Sequence, residues 1–267
     1  MANATIAGAA VIVSRMGGIA TLTLDRPRVH NAFDEAMIAE LTAALVAQAG
    51  DPTVRVVVLA AAGKSFCAGA DLGWMDRAAD FTAAENLADA RALARLMSTL
   101  DGMPKPTIAL VHGPAYGGGV GLVACCDVVV ATPAARFQLS EVKLGLIPAV
   151  ISPYVVAAIG ARQARRYFLT AETMPADEAL RLGLVHALCA DETGLMATRD
   201  RLLEAFGRGG PEAIADSKDL IATLVGRSID GQVIEETAGR IARRRTHAEA
   251  REGVAAFLEK RTPRWAY

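Results

Sequence analysis

The chain has 267 residues, 52% of them hydrophobic and 21% charged. That balance excludes a disordered polar chain, and the length allows one large domain or two small ones. Lys and Arg number 28 against 29 Asp and Glu, a net charge of −1, so no global field draws the chain onto nucleic acid. Cys67, Cys125, Cys126 and Cys189 do not stand at zinc-site spacing with His30, His112, His186 or His247, so reduced thiols and no metal are expected.

The N-terminal segment through Arg15 reads as a strand and not as a signal peptide, because it lacks a basic leading region. Ala10 to Val13 and Ile19 to Leu24 flank Met16-Gly17-Gly18, which is a hairpin signal. Between Asp34 and Gln48, residues Met37, Ile38, Leu41, Ala44 and Leu45 recur at helical spacing, with Asp34 available as N-cap. Val54 to Leu59 is apolar apart from Arg55 and reads as a strand buried on both faces, and Thr107 to Val111 and Asp127 to Ala131 look similar. Helical patterns from Ala83 to Leu100 and from Gly119 to Cys126 lie between the strands, so the order is α/β with parallel pairing.

The weakly charged run from Leu146 to Ala161 contains Pro148 and Pro153 and falls short of the roughly 18 to 20 apolar residues of a membrane span. A cytoplasmic protein without membrane partners is expected. From Gln163 onward the strand signal fades, leaving helices at Ala176 to Arg181, Leu195 to Phe206, Pro211 to Val225, Asp230 to Arg245 and Ala248 to Lys260. The division expected is a core over residues 1–195 and a helical C-terminal subdomain over 196–267. Ile229, Val233, Ile234 and Ile241 would form an apolar stripe on that tail, which something should cover.

Two loops carry the residue types that chemistry needs. Lys64-Ser65-Phe66-Cys67-Ala68-Gly69-Ala70-Asp71-Leu72 follows a buried strand and is made mostly of small residues that let a ligand approach the backbone. Its amides could bind a carbonyl oxygen, and a tight surface turn is the plain alternative. Cys67 has no histidine beside it in sequence and is a poor nucleophile candidate. His112-Gly113-Pro114-Ala115-Tyr116-Gly117-Gly118-Gly119 repeats the arrangement, ending at a helix start where exposed amides favour negative charge. The run from Gly117 to Leu122 lacks the last glycine of a dinucleotide fingerprint, and no Lys-Ser/Thr phosphate loop follows.

Taken with the strand ACCDVVVA and the segment LSEVKLGLIP, FCAGADL and HGPAYGGG resemble the crotonase superfamily, the enoyl-CoA hydratases and isomerases. The likeness extends from LDRPRVHNAF to EGVAAFLEKRTPRW. It implies a crotonase-like spiral of ββα units with a helical C-terminal region that trimerises, often as a dimer of trimers. It also implies an acyl-CoA substrate, with coenzyme A as part of that substrate and no separate cofactor. By position, the N–H groups of Ala70 and Gly118 would form an oxyanion hole. Ala68, Ala70, Asp71, Leu72 and Gly73, together with Gly118, would meet the CoA thioester. Arg28, and Phe257 with Lys260 from a neighbouring subunit, would add contacts, although Arg28 and Lys260 read equally well as solvated cations.

One departure bears on the chemistry. The resemblance implies two glutamates facing the substrate, and this chain has Gly121 at the first position and Glu141 at the second. Burial in the apolar stretch from Phe137 to Pro148 should raise the proton affinity of Glu141, unless Arg136 or Lys143 pairs with it. Hydration and double-bond isomerisation both fit one carboxyl group. IPAVISPYVVAAIGARQARRYFLTAE favours hydration, because it resembles a bacterial branch assigned to methylglutaconyl-CoA in leucine breakdown, within acyl-CoA and fatty acid metabolism. That acyl group carries a second carboxylate, for which Lys143, Arg162 and His112 are candidates, and Trp74 and Met75 could line an acyl pocket. A non-catalytic homologue, favoured by Gly121, or an RNA-binding one is the reading of another class. For RNA, Arg240, Arg243, Arg244, Arg245 and Arg251 would serve, but Glu235, Glu236, Glu249 and Glu252 are interspersed, which suits a mixed-charge face.

Overall fold

In the computed structural model, which describes residues 9–266, Val11–Met16 (β1) and Ile19–Leu24 (β2) form the expected hairpin, antiparallel from Val11↔Leu24 to Met16↔Ile19. The part of the N-terminal strand expectation that falls on residues 1–8 lies outside the described residues. Glu35–Gly50 (α1) follows, its Asp34 cap accepting from Met37 N, and it buries Met37, Ile38, Leu41 and Leu45 at helical spacing. Val56–Ala61 (β3) joins β2 in parallel. It starts later than the hydrophobic run suggests, because Val54 N turns back to Asp51 O and Arg55 N to Gly18 O.

Leu72–Ala78 (α2) and Ala83–Asp101 (α3) come next, the second opened by a reciprocal Thr82–Glu85 capping box. Thr107–Val111 (β4), buried throughout, pairs in parallel with β3, and Ala115–Tyr116 (β5) leads into Gly118–Ala124 (α4). Val128–Ala131 (β6) is followed by Arg136–Gln138 (β7), Ser152–Thr170 (α5), Met174–Pro175 (β8), Ala176–Leu182 (α6) and Ala187–Leu188 (β9). One sheet has the order β1-β2-β3-β4-β6-β9, parallel after its first pair, and a small second sheet has the order β5-β7-β8. This is the α/β class read from the sequence.

Helix α5 was not expected. Its sequence looked like an interrupted apolar run, but proline at the first helical positions is tolerated, and Gly160 at φ 74° absorbs a kink inside the element. The short strands β5, β7, β8 and β9 were also absent from the sequence reading, since two or three residues carry no periodicity.

Two compact units divide the chain: one runs through Met103 and then covers Thr107–Asp200, and the other holds Pro104–Pro106 and the residues from Arg201 on. Glu192–Arg208 (α7) precedes Pro211–Leu224 (α8), Gly231–Arg245 (α9) and Ala248–Leu258 (α10). Within the second unit the Glu249 carboxylate caps α8 by accepting from Glu212 N and Ala213 N. Arg244 bridges Glu212, Asp216 and Glu249, and Arg240 reaches Asp219 and Glu236, so these arginines belong to mixed-charge networks. Ile229, Ile234 and Ile241 are exposed, as the stripe predicts. Val233, at 7% exposure, instead turns inward.

Candidate functional site

The parallel strands β3 and β4 launch two segments that run side by side. Cys67 N donates to Pro114 O at 3.1 Å and Tyr116 N to Cys67 O at 2.8 Å, which sets Cys67 opposite Ala115. Three residues beyond each partner stand Ala70 and Gly118. On the other flank, Phe33 N donates to Gly69 O at 2.6 Å and Asp71 N to Phe33 O at 2.7 Å. Bonds from the residues on either side turn the amide of Ala70 itself away from Phe33. Gly118 opens α4 after Gly117, whose φ of 48° needs a glycine. Among the described residues, neither the Ala70 nor the Gly118 N–H has an acceptor within the chain. Undonated amides on adjoining loops suit a developing oxyanion.

Glu141 begins a 3-10 turn, Glu141–Leu144, after β7. Its Oε1 lies 3.2 Å from the point where a Cβ on Gly117 would stand, and the Cα of Gly69 is 3.9 Å from the same point. The carboxyl therefore packs against the backbone that links the two loops. Its Oε2 is buried and has no hydrogen-bond partner. Burial holds the Glu141 carboxyl above the ordinary range, opposed in part by its own backbone N–H. The pairing alternative is absent among the described residues: the Arg136 guanidinium donates to Pro133 O and Ala135 O, and Lys143 is exposed.

At Gly121 there is no room for a side chain. A Cβ there would lie 2.3 Å from Ile151 Cγ2, 2.9 Å from Ile151 Cβ and 3.1 Å from Met97 Cε. Ile151 and Met97 are fully packed, at 3% and 0% exposure. An apolar wall occupies the place where the resemblance implies a first acid.

Sequence reasoning missed Arg26. Its guanidinium donates to Ala32 O at 2.6 Å, pairs with Asp34 at 2.7 Å and reaches Asp71 at 3.3 Å. Asp34 caps α1, and Asp71 caps α2 by accepting from Gly73 N and Trp74 N, so one cation joins two helix starts to the loop that carries Ala70. Asn31 adds bonds from its side chain to Ala62 O and Ser65 O. The signal lay in LDRPRVHNAF, but no local spacing tells which distant loop an arginine will reach.

Ala68, Ala70, Asp71, Leu72, Gly73, Gly118, Gly121 and Glu141 all belong to the first unit. Ala68 N donates to His30 O, and Leu72 projects outward at 82% exposure. Arg28 is exposed on the short turn Pro27–Val29. His112 Nε2 donates to Gly63 O at 2.8 Å, and Arg162 is exposed on α5. Trp74 is buried, its Nε1 donating to Asp89 at 3.1 Å, and Met75 is half-buried. Cys67 is a fully buried thiol pushed up to about 12 by desolvation, which removes it as a nucleophile. Phe257 and Lys260 lie in the second unit, both exposed. A groove of about 890 Å³ between α1 and α3 shares no lining residue with this constellation.

Comparison with known proteins gives concordant results. The family described as enoyl-CoA hydratase/isomerase matches residues 14–267. The crystal structure of an enoyl-CoA hydratase from Shewanella pealeana superposes with a TM-score of 0.93 at 47% identity, covering 96% of each chain. The 2,3-dehydroadipyl-CoA hydratase of Escherichia coli is 33% identical over 260 residues, 95% of this chain and 97% of its own. The 1,2-epoxyphenylacetyl-CoA isomerase of the same organism is also 33% identical, over 253 residues, 93% of this chain and 95% of its own.

Proposed function

We propose, because the chain belongs to the enoyl-CoA hydratase/isomerase family, that this enzyme hydrates a branched α,β-unsaturated acyl-CoA thioester, 3-methylglutaconyl-CoA or a near relative. The observation that carries the reading is Glu141: a half-buried glutamate with one buried, unpartnered carboxyl oxygen, packed on the glycine that precedes Gly118. In the proposed cycle the thioester oxygen accepts from the N–H groups of Ala70 and Gly118. The Glu141 carboxylate takes a proton from water as the hydroxyl bonds to the β-carbon, and the double-bond electrons move onto the thioester oxygen. Glu141 then returns the proton to the α-carbon, the carbonyl re-forms, and the carboxylate is restored. A raised proton affinity suits a group that must both accept and donate near neutral pH.

Ala68, Asp71, Leu72 and Gly73 would receive the CoA portion, with Arg28 at its phosphates. Phe257 and Lys260 would come from a neighbouring copy in a trimer or dimer of trimers, an assembly that the exposed Ile229, Ile234 and Ile241 support. Lys143, Arg162 and His112 are the candidates for the second carboxylate of the acyl group. A cytoplasmic place in leucine breakdown would follow from that substrate. Double-bond isomerisation is the second reading, favoured by the lack of any acid at Gly121 and by the relative named as an isomerase.

The test is a panel of enoyl-CoA thioesters in ¹⁸O-labelled water, following loss of the conjugated absorbance. Hydration incorporates the label into product; a shifted double bond without label establishes isomerisation instead. Inactivity on every thioester would overturn both.

A further inference from the structure

We propose that Ile151, closing on the bare α-carbon of Gly121, is the specificity-determining residue that confines this site to one-carboxylate chemistry. The inference rests on the functional reading above and deepens it. Both contacts converge on the first turn of α4. Gly117, against which Glu141 packs, accepts at its carbonyl from Val120 N and Gly121 N, so Gly121 lies one helical turn from the glycine that the carboxyl touches. There the side chain of Ile151 leaves less than a van der Waals diameter for any substituent, and Met97 closes the same space from α3.

The arrangement is reciprocal. A glycine at 121 makes room for a branched side chain at 151, and a branched side chain at 151 forbids anything but glycine at 121. Every proton the hydration moves must then pass through Glu141, while the hydroxyl goes straight from the water to the β-carbon. The proton taken from the water is the one that carboxyl returns to the α-carbon, and a dry aliphatic wall excludes a second charge that would compete for protonation.

Two sets of variants test this. The double variant Gly121→Glu/Ile151→Gly should hydrate crotonyl-CoA at least tenfold faster than Ile151→Gly alone. Its kcat–pH profile should gain a second carboxyl ionisation absent from wild type. A double variant that keeps the wild-type melting curve and CoA affinity, yet shows the Ile151→Gly rate and a one-ionisation profile, overturns the proposal.

Should the double variant fail to fold, the melting temperatures of Gly121→Ala in the wild-type and Ile151→Gly backgrounds decide. A fall in wild type that vanishes in the second background supports the pairing, and equal falls in both overturn it. A wild-type protein without turnover of any enoyl thioester, combined with a non-additive melting cycle, would instead bring down the functional reading and leave the steric pairing standing.

Discussion

Both segments share main-chain bonds, but the one carrying Ala70 is also fixed by charged side chains, with Arg26 tying the caps of α1 and α2 together, whereas the one carrying Gly118 relies on close backbone approach and the near-absence of side chains. The two lie side by side and leave equivalent amides undonated, yet they should fail differently. The first loosens when an ion pair is lost. The second breaks when an atom is added. The comparison shows that a binding geometry can be secured either by electrostatic cross-links or by close approach, and that each leaves its own mutational signature.

The largest expected effect concerns the carboxyl that leans on the second segment. Glu141→Gln should lower kcat by about two to four orders of magnitude, the usual size of general acid–base catalysis, with CoA-thioester binding nearly unchanged in calorimetry. Wild-type-like turnover in that variant would remove Glu141 from the chemistry.

Next comes the amide of Gly118. Gly118→Ala keeps the N–H but places a Cβ 2.7 Å from the Phe33 ring, and Gly118→Pro adds loss of the donor. The proline variant should fall below the alanine variant in kcat by about 10²- to 10³-fold, which isolates the donor from the crowding. Equal activity in the two would break the comparison by showing that only the packing of this segment matters.

Arg26 sharpens the contrast from the other side. Arg26→Gln leaves Asp34 and Asp71 facing each other without a cation and should cost about 2 kcal/mol of stability in denaturant melts, with kcat falling more than KM changes. Arg26→Lys should recover part of the stability but less of the turnover, since a point charge cannot hold both carboxylates and the Ala32 carbonyl in one plane.

The smallest effect is on stability against pH. The folded proton affinity of Glu141 lies above its ordinary value, so its burial is free below about pH 4, where the unfolded group is also protonated, and costs most once pH has risen above the folded value. Glu141→Gln should therefore melt about 2 °C higher than wild type near pH 8, with the gap closing towards pH 4 in differential scanning calorimetry. A gap of the same size at both ends would assign the effect to shape instead of charge.

Much of this was legible in the sequence, for identifiable reasons. Strands β3 and β4 announce themselves because short apolar runs must be buried on both faces, β2 because its residues alternate beside a glycine turn, and α1 because its apolar residues share one face behind an aspartate cap. The two loops are readable because small residues and glycines mark backbone that a ligand can approach, whereas Ala70 and Gly118 themselves are singled out only by the resemblance of FCAGADL and HGPAYGGG to a family pattern. Arg26 and Ile151 are not, because each acts through a partner 30 or more residues away, as Arg26 does with Asp71 at a separation of 45. Helix α5 escaped for a local reason: Pro153 interrupts an apolar run on paper but sits where a helix can begin.

The pairing of β3 with β4 from Val57↔Thr107 to Leu59↔Ala109 carries a further consequence. The segments bearing Ala70 and Gly118 emerge from adjacent parallel strands and stay paired through the Cys67↔Ala115 bridge, so their side-by-side course continues the ladder of the sheet, with about 4.8 Å between neighbouring strands, and is set by main-chain pairing. A carbonyl seat of the proposed kind would thus belong to the scaffold, and residues around it, such as Ile151, could change without moving it.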